Sequence, residues 1–261
     1  MIKILINKLI KYNVPLIYVN LIKYWYSHQF VKVKFANKFS YEWKICNGVR
    51  QGGVLSGLLF SIYIDSLLNE VTNSKVGCKL GLLMSNIIAY ADDLVLLSPS
   101  PESLQKLIDL LQNETNKIDL KINLKKTKCM IFCSESSSIC KIKRCFTLEK
   151  EKIEYVTSFK YLGNIIQNDM INAEDIKLKR NNFFKDFNSI YRKFSFVNSS
   201  VLLYLFKQYC MQFYGANLWS ENRKSKTILK QFEIGYHKAP KRYWDYLLTK
   251  VIITPVRKLI F

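Results

Sequence analysis

The chain has 261 residues, 49% apolar and 14% aromatic, which is enough to bury a core and excludes wholesale disorder. Lys and Arg outnumber Asp and Glu 40 to 20, and a net charge of +20 calls for a polyanionic partner, nucleic acid ahead of an anionic membrane surface. A Lys-rich composition would by itself spread this charge evenly, yet residues 176–261 carry 17 basic against 4 acidic residues, which favours a binding surface.

Residues 2–12 place Ile2, Leu5, Ile6 and Leu9 on one helical face, and Pro15 suits the start of a second helix running to about His28. The stretch FVKVKFANKFSYEWKI alternates in hairpin fashion around ANKFS as its turn. The glycine-rich turn in NGVRQGG then leads into a helix with Leu55, Leu58, Leu59, Ile62 and Leu67 expected on its inner side. A short strand pair follows, KLGLLMS into IIAYADDLVLLS, after which Ser100 and Pro101 mark a helix start. LKINLKKTKCMIF reads as a loop into a strand, and TLEKEKIEYVTSFKYLGNII as further strands broken at Gly163. Beyond Asp169 the pattern is helical and basic, with helices expected at about 172–193, 198–214 and 225–239. A domain boundary is expected near residue 168.

No uncharged apolar run reaches the ~18 residues of a membrane span, and no small-residue cleavage site follows the apolar N-terminus. No membrane partner is expected. The protein is expected inside the cell, nuclear and/or cytoplasmic rather than secreted. Seven cysteines without paired spacing do not make a disulfide framework. Cys129, Cys133, Cys140 and Cys145 crowd together, but their irregular spacing, with only His28 and His237 elsewhere, favours free thiols over zinc.

In IIAYADDLVLLS two adjacent aspartates, Asp92 and Asp93, interrupt an apolar run where one strand must turn into the next. A structural salt bridge, a plain turn and a divalent-metal site all fit such a pair. Nucleotidyl transfer by two metal ions needs carboxylates of this kind, because Mg²⁺ takes oxygen ligands and keeps some of its waters.

The motifs in order are more specific. YADD, preceded by NGVRQGGVLSGLLFSIYIDSLL and followed by LKINLKKTKCMIF, FKYLGNII and YCMQFYGANLW, resembles the reverse transcriptases of non-LTR, LINE-type retrotransposons, over nearly the whole chain and more weakly after Lys224. The resemblance implies an α+β fold: a right-hand polymerase palm, with a ferredoxin-like antiparallel sheet and helices, followed by a helical thumb. Residues 1–167 would be a partial palm with residual fingers-side helices, and 168–261 a basic, helical thumb with a C-terminal remnant.

It further implies Asp92 and Asp93 as ligands of Mg²⁺, or of Mn²⁺ in its place. Arg50, Gln51, Gly52 and Gly53 would meet nucleotide and template, and Lys126 would approach the triphosphate and protonate the leaving pyrophosphate. Phe159, Tyr161, Leu162 and Gly163 would hold the primer end. The partners implied are an RNA template, a DNA primer and dNTPs; the sequence is silent on oligomeric state.

The chain departs from the family pattern in three places. Gly57 stands where the family has Pro, and Asp119 where it favours a glycine. Met1 falls directly at the helix that follows the family's first catalytic aspartate, so that aspartate, the first palm strand and most of the fingers are expected to be missing. Asp65, inside a helix, is expected to point away from the site. The chain is therefore expected to be an N-terminally truncated polymerase of little or no activity. The alternative readings are a non-catalytic nucleic-acid-binding remnant, which the basic tail and Tyr204, Phe206, Tyr209, Phe213 and Trp219 would suit, and the conceptual product of a decaying element with no stable fold.

Overall fold

The computed structural model describes residues 2–45, 48–132, 144–211, 213–219 and 223–241. These fall into two compact units, one within Met1–Thr127 and Arg144–Ile153, the other within Lys128–Lys143 and Glu154–Phe261.

Among its described residues the first unit is built on four α-helices. α1 (Ile2–Lys11) buries Leu5 and Leu9 and half-buries Ile2 and Ile6, as the period predicts. α2 (Leu16–Ser27) starts after Pro15, whose φ of −53° suits that position, and buries Val19, Ile22 and Tyr26. α3 (Ser56–Asn73) buries Leu59, Tyr63, Ile64, Leu67 and Val71. Its inner face therefore begins a turn later than expected, because Leu55 and Leu58 lie in the first turn and are exposed. α4 (Pro101–Lys117) is capped by Ser100, whose hydroxyl accepts from the Ser103 N–H. Its Leu107, Ile108 and Leu111 are buried, Leu107 and Leu111 in the same core as Leu5 and Leu67. Each such side chain contributes roughly 1.5–3 kcal/mol on burial.

Among the described residues the strands pair two by two. In the predicted hairpin, β1 (Phe30–Val31) pairs with β4 (Trp43–Lys44) and β2 (Lys34–Phe35) with β3 (Lys38–Phe39). The turn is tighter than ANKFS: it closes at Ala36–Asn37, and Ala36 takes a φ of +51°. β5 (Lys79–Leu80) pairs with β6 (Leu83–Met84), and β7 (Ile87–Tyr90) with β8 (Asp93–Leu96). Asn86, fully buried, fixes the approach to β7 by donating from Nδ2 to the carbonyls of Val71 at 2.7 Å and Val76 at 2.8 Å. Asp119, in the place where the family favours glycine, has a φ of +55°. Glycine enters that region without strain and aspartate is among the few other residues that tolerate it, so one backbone need explains both.

A hairpin of β10 (Thr147–Leu148) and β11 (Glu151–Lys152) also belongs to this unit. It is held on α4 by Gln105, which takes the Thr147 N–H at 3.1 Å and gives to the Thr147 carbonyl at 3.0 Å. Gln112, two turns further along, accepts from the Glu149 N–H at 3.3 Å.

In the second unit β9 (Lys128–Cys129) runs parallel to β12 (Glu154–Tyr155), with Lys128 ion-paired to Glu154 across the register. β13 (Ser158–Tyr161) and β14 (Asn164–Gln167) form a hairpin that turns at Leu162–Gly163 and packs on α5 (Ala173–Phe194). α6 (Ser199–Cys210) and α7 (Arg223–Lys241) are the further α-helices among its described residues. Their core is aromatic: Phe183 meets Phe206 and Phe232 edge-on, with ring centres 6.0 and 5.8 Å apart, beside Phe187, Trp219 and Tyr236. Residue 168 lies inside this unit, because the β13–β14 hairpin and α5 share hydrogen bonds. Cys78, Cys129, Cys145 and Cys210 are free thiols; Cys133 and Cys140, the other two of the four crowded cysteines, lie outside the described residues.

Candidate functional site

The β7–β8 register pairs Ile87 with Leu96, Ile88 with Val95, Ala89 with Leu94 and Tyr90 with Asp93. Side chains alternate across a strand and directly opposed residues share a face. Ile87, Leu94 and Leu96 pack on the core, so Ile88, Tyr90, Asp93 and Val95 stand on the other face. The apolar run on either side of the aspartates is thus only half a core feature. Ile88 is 50% and Tyr90 63% exposed, and both aspartates are exposed.

The turn itself consists of Ala91 and Asp92, with Ala91 at a φ of +50°. Two-residue hairpins need positive φ at their first central position and normally place Gly, Asn or Asp there. Holding an alanine in that region costs roughly 1–2 kcal/mol. Among the described residues no ion pair or hydrogen bond engages either carboxylate. Nor does one join them to Arg50 or Lys126. The structural salt bridge thus finds no partner among the described residues. Two adjacent, solvated carboxylates are hard oxygen donors suited to Mg²⁺. No group of three or more His, Cys, Asp or Glu able to hold a metal occurs among the described residues.

The RQGG turn caps α3. The Arg50 carbonyl accepts from the Gly53 N–H at 3.1 Å and from the Ser56 hydroxyl, and the Gly53 carbonyl from the Ser56 N–H at 3.0 Å. Gly52 has a φ of +78°, which favours glycine. At Gly53 a Cβ would stand 2.6 Å from Ser56 Oγ. Both glycines thus suit the turn, Gly52 by its φ and Gly53 by the space a side chain would take from Ser56, and Arg50 and Gln51 are exposed beside it. Lys126 is exposed in the turn at 124–126, its N–H bonded to the Asn123 carbonyl at 3.1 Å. Asp65, on α3, accepts from the Tyr12 hydroxyl and from Asn69 Nδ2 at 3.0 Å.

In the second unit, Leu162 and Gly163 form the β13–β14 turn with φ of +44° and +82°. Phe159 is 38% exposed, whereas Tyr161 is half-buried. Of the aromatics suited to either core or nucleic acid, Phe206 and Trp219 are buried, while Tyr204 and Tyr209 are exposed.

The family described as reverse transcriptase (RNA-dependent DNA polymerase) matches residues 2–166. The chain belongs to this family. A 87-residue stretch is also 38% identical to the Retrovirus-related Pol polyprotein from type-2 retrotransposable element R2DM of Drosophila melanogaster. That match covers 33% of the chain and 8% of the relative's length. Together these matches bear out the kinship with non-LTR retrotransposon reverse transcriptases read from the sequence. No helix among the described residues is long and apolar enough to cross a membrane.

Sequence reading missed one polar cluster of this reverse transcriptase chain. Asp175, 2% exposed, accepts from the Ile165 N–H at 3.0 Å, from Lys179 Nζ at 2.6 Å and from Trp219 Nε1 at 2.7 Å. The only signal available beforehand was the four-residue spacing of Asp175 and Lys179, which on a basic helix reads as a surface pair.

Proposed function

We propose that this chain is a polymerising domain of a retroelement reverse transcriptase, with residues 1–167 as palm and 168–261 as thumb, a functional division distinct from that of the two compact units, working within the cell in the nucleus and/or cytoplasm. The exposed Asp92–Asp93 pair on its strained turn, in a chain whose family match runs through it, carries this reading. Strain of this kind clusters at functional sites, where surrounding structure enforces it.

In this reading Asp92 and Asp93 hold the cation. The chemistry a bound Mg²⁺, or Mn²⁺ in its place, would supply is Lewis acidity at a primer 3′-hydroxyl and at a dNTP triphosphate in a two-metal reaction. The glycine turn Gly52–Gly53 lets backbone come close to the nucleotide and template, with Gln51 beside it and Arg50 directed at phosphate or base pair. Lys126 delivers a proton to the departing pyrophosphate. Phe159, Tyr161, Leu162 and Gly163 hold the end of a DNA primer on its RNA template. With two carboxylates and no third acidic, His or Cys partner grouped with them among the described residues, DNA synthesis by this chain is expected to be weak or absent.

The test is Mn²⁺ binding, followed by its paramagnetic signal, with primer, RNA template and a non-hydrolysable dNTP present, alongside primer extension in Mg²⁺. Binding lost in Asp92→Ala, with little extension, supports the proposal. Binding unchanged in Asp92→Ala overturns the site, and robust extension that Asp92→Ala abolishes overturns the expected impairment alone.

A second reading, a nucleic-acid-binding remnant without synthesis, is favoured by the 17 basic residues against 4 acidic in 176–261 and by exposed Tyr204 and Tyr209. Its mark is affinity for the hybrid that falls steeply with salt and is indifferent to Asp92→Ala. Binding insensitive to salt would sink it.

A further inference from the structure

The β13–β14 turn is wired into a buried charge pair. Asn164 Nδ2 donates to the Leu162 carbonyl at 3.3 Å, and its Oδ1 accepts from Lys179 Nζ at 2.6 Å. The same ammonium meets Asp175 at 2.6 Å and sits 5.7 Å from the centre of the Trp219 ring. The side chains of Lys179 and Asp175 are 11% and 3% exposed. Asp175 in turn takes the N–H of Ile165, which is not given to β13, and the indole N–H of Trp219. The β13–β14 hairpin and the segment at Trp219, 10 and 44 residues away, therefore converge on one carboxylate at the start of α5.

The packing around this pair leaves little slack. At Gly215 a Cβ would stand 1.9 Å from Asn164 Oδ1, whereas at Gly163 one would make only ordinary contact with the Tyr214 ring at 3.5 Å. Both glycines have positive φ. Burying an ion pair rarely adds net stability compared with apolar packing, and one attested use is to fix a single arrangement. Apolar contact alone would let the hairpin slide on α5, whereas a carboxylate bonded to one backbone N–H at 3.0 Å sets its register.

We propose that Asp175 is a positioning residue which, through the Ile165 N–H and the Lys179–Asn164 link, sets the Leu162–Gly163 turn where a primer 3′ end would rest. The proposal rests on the primer-holding reading of that hairpin.

The experiment compares binding of the full chain to a recessed DNA 3′ end on an RNA strand with binding to a blunt RNA–DNA hybrid. The variants are Asp175→Asn, the milder Trp219→Phe, which removes one donor and keeps an aromatic ring, and Phe187→Leu, which lowers stability within the same core without touching the carboxylate. A preference of the unaltered chain for the recessed end that falls roughly tenfold in the first two variants supports the proposal, provided that blunt-hybrid affinity and the Phe187→Leu preference are kept. A preference retained in Asp175→Asn and Trp219→Phe, or lost equally in Phe187→Leu, overturns it and leaves Asp175 a structural residue. No preference in the unaltered chain overturns the primer-holding reading itself, and the positioning role with it.

Discussion

Two aspartate sites stand in opposite conditions. Asp92 and Asp93 are exposed and, among the described residues, engaged by no cation. Asp175 is 2% exposed and accepts from a backbone N–H, an ammonium and an indole. A carboxylate used in construction is enclosed and supplied with donors, because an unpaired buried charge costs several kcal/mol. A carboxylate offered to a ligand from outside is left wet, and here its backbone carries strain at Ala91. The difference separates building from binding more sharply than residue type does.

The largest effect expected from this contrast is on stability. Asp175→Ala leaves Lys179 buried without its partner and should lower the unfolding free energy by about 3–5 kcal/mol, read from urea titration with the slope unchanged. A loss under about 1 kcal/mol would mean that water reaches the pair and the contrast fails. Gly215→Ala should cost about 2–4 kcal/mol, combining the backbone penalty at positive φ with overpacking against Asn164; near-native stability would show that Asn164 can swing aside.

A pH effect should follow in the same unit. Burial pushes the Cys210 thiol from 9.0 up to about 12 and also raises the Tyr236 phenol. Between those two values the folded chain holds a proton that the unfolded chain has lost, so stability must fall as pH rises through that window. Cys210→Ala should flatten the fall; an equal alkaline loss in that variant would assign it to other groups. The smallest effect belongs to the exposed pair: Asp92→Ala and Asp93→Ala should each change stability by less than about 0.5 kcal/mol. A loss above 1 kcal/mol would mean that these carboxylates are structural after all.

The sequence made the helices legible where one face alone repeats, as in α1 and α4, and where a cap is spelled out, as at Ser100. It also showed the turn at Asp92, because polar residues interrupt two apolar strands there. The inner face of α3 was misjudged because Leu55 and Leu58 fit the helical period, while their place in the first turn, ahead of the packed stretch, leaves them in solvent. Hydrophobicity around YADD does not by itself say which residues are buried. Register instead divides those residues between a packed and an open face. The Asp175 cluster was illegible because its partners Ile165 and Trp219 lie 10 and 44 residues away, and one of the donors is backbone.

The hairpin at 147–152 has a consequence for how the chain comes to be folded. Its residues belong with the first unit although Lys128 and Cys129, which precede it, pair in the second. During synthesis, therefore, the side-chain amides of Gln105 and Gln112 wait for a segment made some forty residues later. The first unit is not closed until residue 153 has left the ribosome. By then the chain has already entered the second unit, so neither can be cut out as one continuous piece.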